Sequence, residues 1–506
     1  MKKLALVIGV AVLCGQAMAQ DAKTVIADAQ RALGGVTSIT YSGSARNVAF
    51  QQCGGNAYAL ICYGVHDPMQ PIASYVRVID TAAPLSRHAG ATMNFGGGGN
   101  TTPAAGTFFQ QVTAEQAKGT NWNQALELYI TPWGFLKGAA DNNATAARGK
   151  IGSENYTVLT WSPAAKAPSG ASYVVKGYVG SDNLVDRVET WVGENIMGDM
   201  HIVADYSGYR SFGNAVVPTR IVQTRGGWPF FEADVNAATG NPPNLASLAP
   251  QPPPPPGAGG GGGGGGGAPG GGPPPALTVT KEDLGQGAWR YTTGAGSYDS
   301  VIVEFNNYIM MLEAGNGPAG QPQGRAQLYV DEIKKTFPNK PIRYVVNTHP
   351  HADHTGGLPV LIAEGATLVV QENSREFFER ALNTPRTLLD DSLAKAPKKL
   401  KIETFADKKV YTDGTQTVEL YHIFPAPHSN ALLVAYLPRQ KVLFQGDFSI
   451  NPAQGGGGWT PANEHVRALV PALEKLGITD YNRYINVHAS AAPQTKADVT
   501  ASMNAR

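Results

Sequence analysis

The residues of this chain best suited to chemistry lie together in Thr348-His349-Pro350-His351-Ala352-Asp353-His354-Thr355-Gly356-Gly357, where three histidines and one aspartate fall within six positions. They follow an apolar run, Ile342–Val346, so the spacing places them on a strand-to-helix loop. Alternate residues of an extended loop project to one side. His349 and His351 therefore aim at one point, and Asp353 and His354, further round the turn, can serve a second, neighbouring ion. Gly356 and Gly357 let the backbone turn tightly into the next helix. Imidazole and carboxylate donors suit zinc, and also iron or manganese. A surface histidine cluster is the competing explanation, and four potential ligands at the end of a buried strand argue against it.

The pattern His-x-His-x-Asp-His resembles the metallo-β-lactamase superfamily. The resemblance continues downstream: His428 in "FPAPHSNALLVAYLPRQKVLFQGDF", Asp447 at the end of that segment, and His488 in "YINVHAS" after a final strand. It covers about Leu277–His488 and implies an αββα sandwich with two metal sites. His349, His351 and His428 would form the first, Asp353, His354 and His488 the second, with Asp447 bridging both. Two divalent ions are implied, zinc first, with iron or manganese as alternatives. Asp353 and Asp447 would be the catalytic carboxylates, holding a hydroxide. "PHSN" and "VHAS" depart from the Gly-flanked forms usual in the family, and Glu313 stands where relatives often carry Asp.

These features imply a hydrolase acting on an ester, thioester, lactone or amide of a small molecule. Asp447 shifts weight away from β-lactam hydrolysis, because family β-lactamases typically place Cys or Ser there; β-lactam hydrolysis remains an alternative, as does iron-dependent sulfur oxidation. His351 stands where the oxygen-reducing diiron relatives have Glu. No Gly-x-Ser-x-Gly nucleophile elbow and no phosphate-binding Gly-Lys-Ser/Thr loop is present.

The elements that must carry this site read as layered α/β construction. Strands are expected at Val301–Phe305, Tyr308–Glu313, Ile342–Val346, Thr367–Val370, Val418–His422, Ala431–Leu437, Lys441–Phe444 and Tyr484–Val487. Helices are expected at Gln327–Phe337, Leu358–Ala363, Ser374–Leu382 and Glu464–Leu476. Loops Gly294–Ser300 and Gly455–Pro461 are candidates for substrate selection, Thr384–Pro397 for a further cover, and Trp459 for a packed loop aromatic or, second, a pocket wall. His422 reads as structural and His465 as a surface residue. His66, His88 and His201 have no clustered partners.

The first half reads differently, as a mostly antiparallel β-rich domain over residues 20–249 with few helices. A helix at Ala22–Leu33 precedes strand-like runs at Ser38–Ala45, Tyr75–Asp80, Tyr156–Ser162, Tyr173–Val179, Val185–Val192, His201–Tyr206 and Val217–Thr224. "DNLVDRVETWV", "ADYSGYRSFGNAVVPTRI" and "GGWPFFEADV" resemble the later strands of the LolA/LolB-like half-barrel, which implies a concave face for an apolar or lipid ligand. A carrier protein is thus the second functional class, and an accessory or docking domain the third.

Of 60 Gly and 36 Pro in the 506 residues, 13 Gly and 10 Pro fall in residues 250–275. That block lies in a linker, 250–276, stiff where Pro-rich and flexible where Gly-rich, ahead of a metallo-β-lactamase-like domain over 277–506. Residues 1–19 read as a signal peptide: Lys2 and Lys3, an apolar Leu4–Leu13, and Ala17-Met18-Ala19. The product would be exported, to a periplasm or beyond. Its removal takes away two Lys and no acid, moving the formal charge from +1 to −1. A near-neutral chain argues against nucleic-acid binding, and no other run is long enough to span a membrane. Cys53 and Cys62 could pair in an oxidising compartment. The basic stretch Lys395–Lys409 reads as solvated surface.

Overall fold

The structure, a computed structural model, describes residues 21–48, 69–95, 103–248, 277–294, 298–318, 321–426, 428–453, 458–488 and 494–505. The expected signal segment, Cys53, Cys62, His66 and the Gly/Pro block lie outside them.

In the second half, strands whose residues alternate between two cores build two facing sheets. The first has seven strands in sequence order: Thr280–Gly285, Ala288–Thr292, Ser300–Glu304, Ile309–Leu312, Ile342–Val346, Thr367–Gln371 and Lys401–Phe405. It begins antiparallel and becomes parallel from Ile309–Leu312 onward. The second orders Lys408–Thr412, Thr417–His422, Leu433–Leu437, Val442–Gln445 and Arg483–Asn486, its last pair parallel. Period-two alternation assigns the faces. Val301, Val303, Met310 and Leu312 point to a core shared with Leu420, Ala435 and Phe444 of the second sheet. Ile302, Ile309 and Met311 point outward, under the helices Gly324–Thr336, Leu358–Ala363 and Arg375–Leu382. On the far side Leu443 and Tyr484 meet Val466 and Leu469 of the helix Glu464–Lys475. Helix, sheet, sheet, helix is the expected αββα sandwich.

Among the described residues, the first half is built on an eleven-stranded antiparallel sheet. From one edge it runs Pro103–Val112, Leu85–Phe95, Met69–Asp80, Ser38–Val48, Trp228–Gly240, Arg220–Arg225, Gly198–Ser207, Val185–Glu194, Val175–Val179, Glu154–Trp161 and Thr145–Ile151. It carries more helix than its punctuated, Gly-rich sequence suggests. Besides Ala22–Ala32, capped by Asp21, there are Ala114–Lys118, Trp122–Tyr129 and Pro132–Asp141. The last begins with Thr131 as N-cap and Pro at its first turn, a start signal hidden among aromatic residues. Phe135 from this helix is fully buried with Leu159, Trp161 and Val188 of the sheet. The chain's own helices thus occupy apolar sheet surface that a carrier would offer to a ligand. No described helix is long and apolar enough to cross a membrane.

The two halves are packed against each other. One continuous buried cluster contains Phe135 and Val188 from the first and Tyr329, Leu358 and Phe378 from the second. Of the segment Thr384–Pro397, expected as a further cover, the part around Thr387 and Leu388 docks on the large sheet. Asp199 accepts from Thr387 N at 2.8 Å, Thr387 Oγ1 at 2.7 Å and Leu388 N at 2.9 Å, and Ser169 Oγ donates to Thr387 O at 2.6 Å.

Candidate metal centre

All seven predicted site residues come together at one edge of the sandwich, where strands of the two sheets end side by side. His349 and His351 follow Ile342–Val346, Asp447 follows Val442–Gln445, and His488 follows Arg483–Asn486. His428 lies on the connection into Leu433–Leu437. Leu433 N donates to Thr348 O at 2.9 Å and so ties the two sheets together beside the histidine loop. Val487 N donates to Gln445 O at 2.9 Å, aligning the ends that carry Asp447 and His488. A Cβ on Gly446 would stand 2.9 Å from Thr348 Oγ1, so only glycine lets these loops approach this closely.

The donor atoms form two adjoining groups, each able to hold a metal ion: His349, His351, His428 and Asp447, then Asp353, His354 and His488. In the first, His349 Nε2 lies 2.8 Å from His351 Nδ1, 3.1 Å from His428 Nε2 and 3.5 Å from Asp447 Oδ2. Four ligands about 2.0–2.1 Å from a tetrahedral ion stand roughly 3.3 Å apart, so the spacing suits zinc. In the second, His354 Nε2 lies 3.4 Å from Asp353 Oδ2, and His488 Nε2 3.7 Å from the same oxygen. Asp447 faces both groups with different oxygens. Its Oδ2 is 2.7 Å from His428 Nε2, and its Oδ1 is 2.7 Å from His488 Nε2 and 3.1 Å from His354 Nε2.

Burial sharpens this. His349, His351 and His354 are essentially inaccessible, and Asp447 is 5% exposed. Both nitrogens of His354, both oxygens of Asp447 and Asp353 Oδ1 are buried without a hydrogen bond of acceptable geometry among the described residues. Buried polar atoms normally have partners, and leaving each alone costs about 1–3 kcal/mol. Convergent buried donor atoms left without partners are what cation ligands present, and these residues fit a divalent metal.

Electrostatics agree. Burial, then the neighbouring His354 and His351, holds His349 well below the usual histidine range, so it is neutral with its lone pair available. Burial opposes ionisation of Asp447, but His354, His488 and His428 outweigh it and keep the carboxylate charged. Burial likewise opposes protonation of His354, and Asp353 and Asp447 reverse it, holding the metal-free ring well above its ordinary value.

Outer partners orient the ligands. Glu313, buried with φ of 71°, accepts from Thr348 N at 3.2 Å, Asn347 Nδ2 at 3.1 Å and the Thr348 hydroxyl, and its Oε2 stands 3.5 Å from His354 Nδ1. Tyr298 donates its hydroxyl to Asp353 Oδ2 at 3.2 Å, and its ring packs beside His354 and His488. Burial and the Asp353 carboxylate keep this phenol protonated. Tyr298 lies inside the loop expected to select substrate, but nothing in its sequence context marks it as a partner of Asp353.

Other histidines sort differently. His465, expected at the surface, is 2% exposed, with its ring 5.0 Å from that of His428. The helix Glu464–Lys475 turns its first turn into the core, and burial holds His465 down to about 4. His422 is structural, 3.0 Å from Asn430 O. Trp459 packs at the edge of the core and donates Nε1–H to Asp498 at 3.1 Å, the behaviour of a packed loop aromatic. The basic stretch is solvated, with Lys395 and Lys408 paired at the surface to Asp390 and Glu419.

Residues 293–488 match the family model of the metallo-beta-lactamase superfamily. No curated protein matches the chain. Among solved structures, a metallo-beta-lactamase from Pontibacter korlensis is similar at 18% identity, covering 45% of this chain and 97% of that one, with a TM-score of 0.33. DIM-1 metallo-beta-lactamase exposed to ceftazidime is similar at 15% identity, covering 45% and 96%, with a TM-score of 0.33. Residues 293–488, which hold all seven converging donor residues, are a metallo-β-lactamase superfamily domain.

Proposed function

We propose that the protein is an exported hydrolase that uses two divalent ions, zinc first, to cleave an ester, thioester, lactone or amide bond of a small molecule. The observation that carries this reading is Asp447, which turns one oxygen to each of two adjoining ligand groups. His349, His351 and His428 would hold one ion, Asp353, His354 and His488 the other, with Asp447 shared. Divalent ions bound there would polarise the scissile bond and make water acidic enough to ionise near neutral pH.

The chain's own residues then divide the remaining work. Asp447, kept ionised by the surrounding imidazoles, would help hold the attacking water. Asp353 has one oxygen engaged by Tyr298, while the other is buried and unpaired. That second atom, Oδ1, would be the one free to take the water's proton. Tyr298 holds the carboxylate plane and withdraws negative charge from Oδ2, which directs the proton to Oδ1. Near-complete burial of His349, His351, His354 and His428 keeps bulk water from that side of the site and strengthens these interactions.

Metal analysis of the full chain from residue 20, joined to a hydrolysis screen across the four bond classes, tests the proposal. About two ions per chain and turnover of one class are expected. A chain that takes up no zinc, iron or manganese overturns it.

A further inference from the structure

The short helix Ala352–Thr355 carries Asp353 and His354, yet with four residues it cannot satisfy its own backbone. Three outside donors hold the carbonyls of this turn. Asn316 N donates to Asp353 O at 2.7 Å, and Asn347 Nδ2 donates to His354 O at 3.0 Å. The third comes from the other half of the molecule: Asn195 Nδ2 donates to Gly356 O at 2.9 Å.

Asn195 sits at the tip of the hairpin formed by Val185–Glu194 and Gly198–Ser207, 161 residues before Gly356. Two of its other polar atoms are also committed to the second half. Its Oδ1 accepts from Gln323 Nε2 at 2.9 Å, and its main-chain O accepts from Arg386 NH2 at 2.6 Å. The tip is stiff: Glu194 Oε2 accepts from Ile196 N at 2.8 Å and Met197 N at 2.6 Å, closing the turn around Asn195. Gly356 has no slack either. A Cβ there would fall 1.6 Å from Asn316 Oδ1, so the loop is wedged between Asn316 on one side and bound by Asn195 at its carbonyl. His349 and His351 do not depend on this contact, because the strand Ile342–Val346 and Thr348 hold them.

We propose that the β-rich half is a built-in part of the metal centre: its hairpin tip, through Asn195, fixes Gly356 and with it Asp353 and His354, the ligands of the second ion. Asn195 is a positioning residue. The inference rests on the two-ion reading above and adds that the second ion is held jointly by both halves, while the first is held by one.

Stepwise metal titration of the full mature chain against a chromophoric chelator, with zinc as probe, tests this. In Asn195→Ala one of the two binding steps loses on the order of tenfold in affinity, as outer partners of ligands typically do, while the other keeps its wild-type value. Asn195→Asp keeps the acceptor for Gln323 but loses the donor to Gly356, and shows the same selective loss. Asp199→Ala is the control. It cuts the clamp on Thr387 and Leu388 and lowers thermal stability, but leaves both binding steps unchanged. Hydrogen exchange of metal-free Asn195→Ala, faster over residues 352–357 than in wild type, supports the same conclusion without metal. Unchanged binding in both Asn195 variants, or an equal loss in Asp199→Ala, overturns the coupling and leaves the two-ion reading standing. Wild-type chain that binds no zinc overturns both.

Discussion

Each half of this protein buries histidine, and the two burials mean opposite things. In the β-rich half, His88 is 2% exposed, with Nε2 2.6 Å from Gln110 Oε1 and Nδ1 3.3 Å from the Tyr75 hydroxyl. Every polar atom of that ring is answered, so His88 is a packed structural residue. In the second half His354 is equally buried, and neither nitrogen has a well-formed hydrogen bond among the described residues. Burial alone therefore does not mark function. Convergent, unanswered donor atoms do, because that arrangement is costly unless a cation completes it.

The largest effect that can break this contrast is ligand loss. His351→Ala or Asp447→Ala should abolish uptake of at least one ion and lower turnover by more than the 10- to 100-fold typical of outer-shell changes. His88→Gln should leave metal content and kcat unchanged and cost roughly 1–3 kcal/mol of stability. Metal analysis and denaturant unfolding read both arms; equal metal loss in the two variants would erase the distinction.

Chelation comes next. Free metal at a hundredfold above its dissociation constant stabilises the folded chain by about 2.7 kcal/mol. Stripping the metal should therefore lower the melting temperature of wild-type protein, with a smaller drop in His351→Ala. An identical drop in both would place the metal elsewhere.

Acidity separates the two regions by sign. Burial, then Arg77, holds His88 well below 6.5, so between its folded value and 6.5 the unfolded chain binds more protons. Its contribution is present above pH 6.5 and is lost as pH falls below that. His354 in the metal-free protein is held well above 6.5 by Asp353 and Asp447, so its contribution is present below 6.5 and is lost as pH rises through its folded value. Unfolding of chelated protein between pH 5 and 8 should therefore show His88→Gln flattening a rising slope and His354→Gln removing a falling one, each by up to about 1.4 kcal/mol per pH unit. Slopes of the same sign would contradict the assignment.

The smallest effect concerns Tyr298. Tyr298→Phe removes one hydrogen bond to Asp353, worth about 0.5–1.5 kcal/mol. A kcat loss of roughly 2- to 12-fold at constant metal content is expected, and a loss of metal instead would make Tyr298 a structural prop for the second ion.

Much of the centre was legible because its chemistry is local. His349, His351, Asp353 and His354 fall on one loop after one apolar strand, and His428, Asp447 and His488 each follow or precede a strand of recognisable pattern. The sandwich was legible for the same reason, since the short apolar runs Val301–Phe305 and Ile342–Val346 announce strands buried in a layered fold. The helices Trp122–Tyr129 and Pro132–Asp141 were not, because aromatic and glycine residues mask the helical period and tertiary packing overrides propensity. His465 was misplaced at the surface because a histidine beside Glu464 at a helix start looks solvated until the opposite layer is present.

The amino-acid order by itself determined which groups could bind metal and which strands would deliver them, since donor type and strand period are properties of short segments. Only the tertiary structure decided that Asp447 turns one oxygen to each group, that Tyr298 holds Asp353, and that Asn195 reaches across from the other half to Gly356. Those contacts join residues far apart in the chain, and their geometry exists only once two sheets and a hairpin have been packed to within 3 Å of one another.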